Sequence, residues 1–142
     1  MPDSRVIYFV DDASDYRFLV QQVVMRFIPQ CRMQFFSDGA DLVDWIESGQ
    51  TPGEDGPKVI LLDLDMPKMD GFQTLGVLKQ HPQWQSVPVV IITNRDSQEH
   101  RQSSLELGAS NFLLKPLDLM EIKDLMTKLC NYGGDDRPFV SS

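Results

Sequence analysis

A chain of 142 residues with 42% hydrophobic and 24% charged residues has the size and composition of one globular domain with its own core, and leaves no room for a second. Its formal net charge of −8 argues against a nucleic-acid partner, because binding a phosphate backbone needs a clustered basic surface. No apolar run approaches the roughly eighteen residues that cross a bilayer, and the first hydrophobic segment is too short for a signal-peptide core, so a cytoplasmic protein without membrane contact is expected.

Residues 5–10 read as a first strand that stops at Asp11 and Asp12. Such a pair either caps the next helix or offers two carboxylates beyond a strand end, and the residues alone leave both readings open. Residues 14–27 carry Tyr16, Leu19, Val20, Val23, Val24 and Phe27 at three- and four-residue steps, the period of an amphipathic helix. Ser14 is its expected N-cap, and Pro29 lies just past its end. In residues 32–37, Met33 and Phe35 alternate against Arg32 and Gln34 as a second strand. Asp38-Gly39 then turns the chain into a helix over 40–47 that carries Leu42, Val43, Trp45 and Ile46. Residues 48–57, rich in Gly, Pro and acids, read as a loop.

Val59, Ile60, Leu61 and Leu62 form an unbroken apolar run, the pattern of a strand buried on both faces at the centre of a parallel sheet. The run stops at Asp63; Asp65 follows, Pro67 forbids a longer strand, and Asp70-Gly71 suits a turn before a helix. Taken alone, Asp63 is either a turn former or a reactive group. A third helix over 72–80 buries Phe72, Leu75 and Leu78 and is closed by Pro82, and residues 87–93 make a fourth strand with Pro88 tolerated at its start. A polar helix over 97–107 is stopped by Gly108, and residues 111–115 form a fifth strand broken by Pro116. Residues 118–130 repeat Leu119, Ile122, Leu125, Met126 and Leu129 at helical spacing, and 132–142 read as a loose tail. Cys31, Cys130, His81 and His100 each stand apart from any metal-ligand spacing, so the cysteines read as reduced structural thiols.

Five strand–helix alternations spell an α/β fold, a doubly wound five-stranded parallel sheet with helices on both faces. Ligands in such sheets bind beyond the carboxyl ends of the strands. Those ends carry Asp11 and Asp12, Asp63, Thr93 and Lys115. Carboxylates about 4 Å apart repel by roughly 4 kcal/mol per pair at an effective dielectric near 20, so a divalent cation is expected among them. Oxygen-only ligands favour Mg²⁺ over Zn²⁺. With Thr93 and Lys115 left to face an anion near Asp63, the expected anion is a phosphoryl group and the expected nucleophile is the Asp63 carboxylate.

The acid pair Asp11-Asp12, the run Asp63-Leu-Asp-Met-Pro-Lys-Met-Asp-Gly71, Thr93 and Lys115-Pro116 together resemble the receiver domain of two-component response regulators, the CheY-like family. The resemblance covers residues 5–131, taken as the receiver domain, and implies the flavodoxin/CheY-like strand order 2-1-3-4-5. It implies that Asp63 is the phosphoacceptor, becoming a 4-aspartylphosphate, and that Asp12, Asp63 and the backbone carbonyl of Asp65 ligate Mg²⁺ while Asp11 holds the metal through water. Lys115 would pair with phosphoryl oxygens, Thr93 would reach for the phosphoryl group on activation, and Phe112 occupies the aromatic switch position, where its lack of a hydroxyl departs from a Tyr. On residue pattern alone Phe112 reads equally as core. Pro116 is expected to follow a cis peptide bond. Asp65 and Arg95, two residues past Asp63 and Thr93, are expected to tune the lifetime of the phosphorylated state, paired over the site.

The implied function is a single-domain response regulator without an output domain, phosphorylated by a histidine kinase or phosphotransfer protein. It would signal to a protein partner, or form a homodimer, through the face of the fourth helix, fifth strand and fifth helix. It would not be an enzyme beyond its own phosphorylation and dephosphorylation. Three alternatives stand beside it: a receiver excised from a larger signalling protein, an interaction module that is never phosphorylated, and a haloacid-dehalogenase-type phosphatase. The last shares Asp63-Leu-Asp65 but has Met66-Pro67 after it and an acid pair on the wrong side of the nucleophile.

Overall fold

The computed structural model describes residues 6–52, 59–66, 68–95 and 97–131. Pro67, residues 53–57 of the loop expected at 48–57 and the tail at 132–142 lie outside them. The expected alternation is present: β1 (Ile7–Val10), α1 (Ser14–Phe27), β2 (Met33–Phe36), α2 (Gly39–Glu47), β3 (Val59–Asp63), α3 (Gly71–Gln80), β4 (Val89–Thr93), α4 (Gln98–Glu106), β5 (Asn111–Leu114) and α5 (Leu119–Cys130). All pairings are parallel and the strand order is β2-β1-β3-β4-β5. The unbroken apolar runs lie in the middle of the sheet, where every residue of β1, β3 and β4 is buried, because a central strand covered by helices on both sides has no face left for polar side chains.

Alternation along the strands separates two cores. Ile7, Phe9, Val59, Leu61, Val90, Ile92 and Leu113 pack with Val20, Val23 and Val24 of α1 and Ile122, Leu125, Met126 and Leu129 of α5. Tyr8, Val10, Ile60, Leu62, Val89, Ile91 and Phe112 face the other way, onto Leu42 and Ile46 of α2, Leu75 and Leu78 of α3, and Trp84. Each fully buried aliphatic of this kind is worth about 1.5–3 kcal/mol relative to exposure, which is why the sheet rather than any single helix anchors the domain.

Local chemistry starts most of the helices. Asp38 accepts from the Asp41 amide at the start of α2, Ser97 from the His100 amide at α4, and Asp118 from Met120 and Glu121 at α5. Asp70 and Gln73 close a capping box on α3. Helix α1 departs from expectation: Ser14 is already helical, Ala13 holds the N-cap position, and the Ala13 amide donates to Asp11 Oδ1 at 2.8 Å. Phe27 also differs, being 47% exposed, because the core position at the end of α1 passes to Ile28, which is 4% exposed. The bond before Pro116 is trans, the ordinary state of an X–Pro peptide, and no described residue follows a cis bond. Among the described residues no helix is long and apolar enough to cross a membrane.

Gly71 lets α3 begin directly under the end of β3. Its amide donates to Leu64 O at 2.9 Å, and a Cβ there would lie 2.8 Å from both Asp63 O and Leu64 Cα. Both contacts are backbone, so a side chain must displace the strand end that carries Asp63. Gly71→Ala is expected to lower the urea midpoint by an amount equivalent to about 1–3 kcal/mol, the usual cost of overpacking. An unchanged midpoint would show that the strand end yields without strain.

Candidate functional site

The ladder continues one residue beyond the strands and fixes the backbone at their carboxyl edge. The Asp11 amide donates to Phe36 O at 3.1 Å, Leu64 N to Ile92 O at 3.0 Å, and Lys115 N to Thr93 O at 2.7 Å. Strand alternation then sorts the side chains. Asp11, Asp63 and Lys115 continue the row of Phe9, Leu61 and Leu113 and emerge on the α1/α5 side, whereas Thr93 continues the row of Ile91 on the opposite side.

Asp11, Asp12 and Asp63 each bring a carboxylate oxygen to within 4.8 Å of the other two. Asp11 and Asp63 are buried and Asp12 is exposed, so the cluster opens to solvent on one side. Lys115, its side chain 5% exposed, sets its ammonium 2.7 Å from Asp11 Oδ2 and 3.8 Å from Asp63 Oδ2. Three acids against one ammonium leave a negative surplus that water reaches only from the Asp12 side. A hard divalent cation with oxygen ligands answers that surplus, and the donor set present fits one.

The same surplus acts on Asp63 itself. Burial and the neighbouring Asp11 push its carboxyl up to about 7; Lys115 and the Asp65 amide, which donates to Asp63 Oδ1 at 3.3 Å, oppose the rise, and Asp12 adds a little to it. The Tyr16 phenol is raised as well, by burial and then by Asp11 and Asp63, so it is a neutral hydrogen-bond donor.

Asp65 and Arg95 form the rim. Arg95 Nη2 lies 2.6 Å from Asp65 Oδ1, and the Thr93 hydroxyl donates to Asp65 Oδ2 across a long 3.4 Å. With their side chains 44% and 60% exposed, the Asp65–Arg95 pair is worth at most about 1 kcal/mol, a closure that thermal motion opens readily. The expected pairing is therefore present in the geometry. Phe112 is not at the rim: it is fully buried in the α2/α3 core, with the Arg101 guanidinium 5.1 Å from its ring centroid and donating to its carbonyl.

Two residues of α1 that helical periodicity alone does not mark as functional reach the site. Tyr16 donates its hydroxyl to Pro116 O at 2.5 Å, and its ring centroid is 4.3 Å from Lys115 Nζ. Arg17 donates to Asp11 O at 2.5 Å. Their nearness to Asp12 was visible, but nothing in helical periodicity says which residue of a first turn bends over a lysine about a hundred positions away.

Residues 7–127 match the family model of the response regulator receiver domain, and the chain belongs to that family. It is similar to a probable methanogenesis regulatory protein, FilR2 of Methanothrix harundinacea, at 25% identity over 92% of this chain and 84% of that protein. It is also similar to the cyclic di-GMP phosphodiesterase response regulator RpfG of Xanthomonas campestris pv. campestris, at 31% identity over 82% of this chain but only 29% of RpfG. Its fold superimposes on the Mn(2+)-bound form of response regulator Rcp1 with a TM-score of 0.74 and 26% identity, covering 96% of this chain and 99% of that one.

The raised Asp63 carboxyl has a direct consequence for stability. Because the folded state holds the proton more tightly than the unfolded chain, this group favours folding fully below about pH 4, and the contribution is lost as pH rises through about 7. In metal-free buffer at pH 8, Asp63→Asn is expected to melt higher than the wild type, by an amount on the order of a few kcal/mol, with the gap closing toward pH 5. Thermal melts in EDTA at both pH values check this, and a gap that does not change with pH would exclude the electrostatic cause.

Proposed function

We propose that this receiver domain accepts one phosphoryl group on Asp63 from a histidine kinase or phosphotransfer protein, in a Mg²⁺-dependent reaction, and signals by a conformational change to a protein partner. The observation that carries the reading is the buried Asp63 carboxylate at a strand end, clustered with Asp11 and Asp12 and with the Lys115 ammonium 3.8 Å away. Asp12, Asp63 and the Asp65 carbonyl would hold the cation, with Asp11 acting through water. The bound cation offsets negative charge on the carboxylates and the incoming phosphoryl oxygens. An Asp63 oxygen attacks phosphorus as the donor's phosphorus–nitrogen bond breaks, and Lys115 pairs with the transferred oxygens.

Thr93 and Phe112 are assigned to the response that follows, Thr93 through a hydroxyl that reaches the phosphoryl group and Phe112 through its place under α4. A partner, or a second copy of the chain, would dock on the face of α4, β5 and α5, where Leu114 and Leu117 are 52% and 72% exposed beside a groove lined by Arg101, Asp118 and Glu121. The functional unit is taken as residues 5–131, slightly wider than the family match, and is assigned to the cytoplasm.

Incubation with acetyl phosphate and Mg²⁺ is expected to give one label per chain, abolished by Asp63→Asn and by EDTA. Label that persists in Asp63→Asn would sink the assignment, and repeated turnover of many equivalents would favour a phosphatase instead. Asp65 and Arg95 are proposed to set how fast water removes the phosphoryl group. Replacing both by Ala should change the decay rate of labelled protein severalfold; identical decay curves would remove them from that role.

A further inference from the structure

We propose that Tyr16 is a positioning residue for Lys115, its ring carrying the ammonium and its hydroxyl pinning the turn from which the lysine projects. The inference rests on the phosphoacceptor reading of Asp63. Lys115 is buried to the same degree as the acids it serves, with its side chain 5% exposed, so water does little to solvate its charge. Three groups take the place of that water. Asp11 Oδ2 at 2.7 Å and Asp63 Oδ2 at 3.8 Å are two, and the face of Tyr16, with its centroid at 4.3 Å, is the third.

The three are not equivalent. In this arrangement the ammonium is closer to Asp11 than to the residue that would be phosphorylated. To serve a phosphoryl group on Asp63 it must shift toward Asp63, which gives up the close 2.7 Å contact with Asp11, while the ring face, whose attraction reaches to about 6 Å from its centroid, still borders the ammonium. The ring thus lets the cation exchange one acid for another without meeting bare apolar surface. The hydroxyl has a separate task. Its bond to Pro116 O ties the first turn of α1 to the β5–α5 connection, immediately after Lys115. The ring is itself braced by an edge-on contact with Phe9, centroids 6.0 Å apart. A Tyr present only to fill core would need no ammonium over its face, and Leu would fill the same space.

The test is the rate of Asp63 labelling by acetyl phosphate in saturating Mg²⁺, for Tyr16→Phe and Tyr16→Leu, each in the wild-type and the Lys115→Met background, with urea midpoints measured alongside. Tyr16→Phe keeps the ring and should label within about threefold of wild type. Tyr16→Leu should lower the second-order labelling constant about tenfold while Mg²⁺ affinity stays within about twofold. In the Lys115→Met background the Leu substitution should cost nothing further, because the group it positions is gone. Equal rates for Tyr16→Leu and wild type would overturn the proposal, as would a loss of the same size in both backgrounds, which marks a structural effect. Wild-type protein that takes no label overturns the phosphoacceptor reading and this proposal with it; labelled wild type with either of the other two results overturns this proposal alone.

Discussion

Like charge held at close quarters is the condition that the rest of the site answers to. Asp11, Asp12 and Asp63 come within 4.8 Å of one another, two of them out of contact with water, and each close pair costs roughly 4 kcal/mol at a moderate effective dielectric. A loop would relax such a cluster by moving apart. Here Asp11 and Asp63 sit on adjacent, hydrogen-bonded strands whose register is set by the core below, Val10 beside Leu62, so the acids cannot separate without breaking the ladder. The charge must instead be met where it stands, which accounts for a lysine as buried as its partners; burial, with Asp11 alongside, lets the Asp63 carboxyl hold its proton to about pH 7.

Rigidity is unevenly distributed around that cluster. The floor is fixed: strand ends, a capping box on α3, and a glycine at 71 that lets the helix start against the backbone of residues 63 and 64. The rim is soft, because the Asp65–Arg95 pair is largely solvated and Thr93 meets Asp65 only through a long hydrogen bond. A site of this design holds the Asp63 carboxylate still while its surroundings can move at small cost.

The residues of the site are split between the two sheet faces. Asp11, Asp63, Lys115 and Tyr16 belong to the α1/α5 side, and Thr93 and Phe112 to the other, where Phe112 lies in the core beneath an Arg101 contact. Ile91 pairs with Phe112 and Thr93 with Leu114, so Thr93 and Phe112 lie on adjacent, directly paired strands of that second side.

Sequence alone determined the sheet, because central strands need unbroken apolar runs and these are local patterns; the runs in β1, β3 and β4 stand where they were read. It also determined which polar residues terminate those strands, hence Asp11, Asp12, Asp63, Thr93 and Lys115 as one group. Smaller matters were not legible. Ser14 has the chemistry of an N-cap, but the Asp11 carboxylate reaches the Ala13 amide first, and Phe112 fits a core and a switch equally well as a residue type. Only the tertiary structure decided that Lys115 leans on Asp11 more closely than on Asp63 and that Tyr16 covers the lysine. Those contacts join residues far apart in the chain, and their distances follow from how helices seat on the sheet, which no local periodicity encodes.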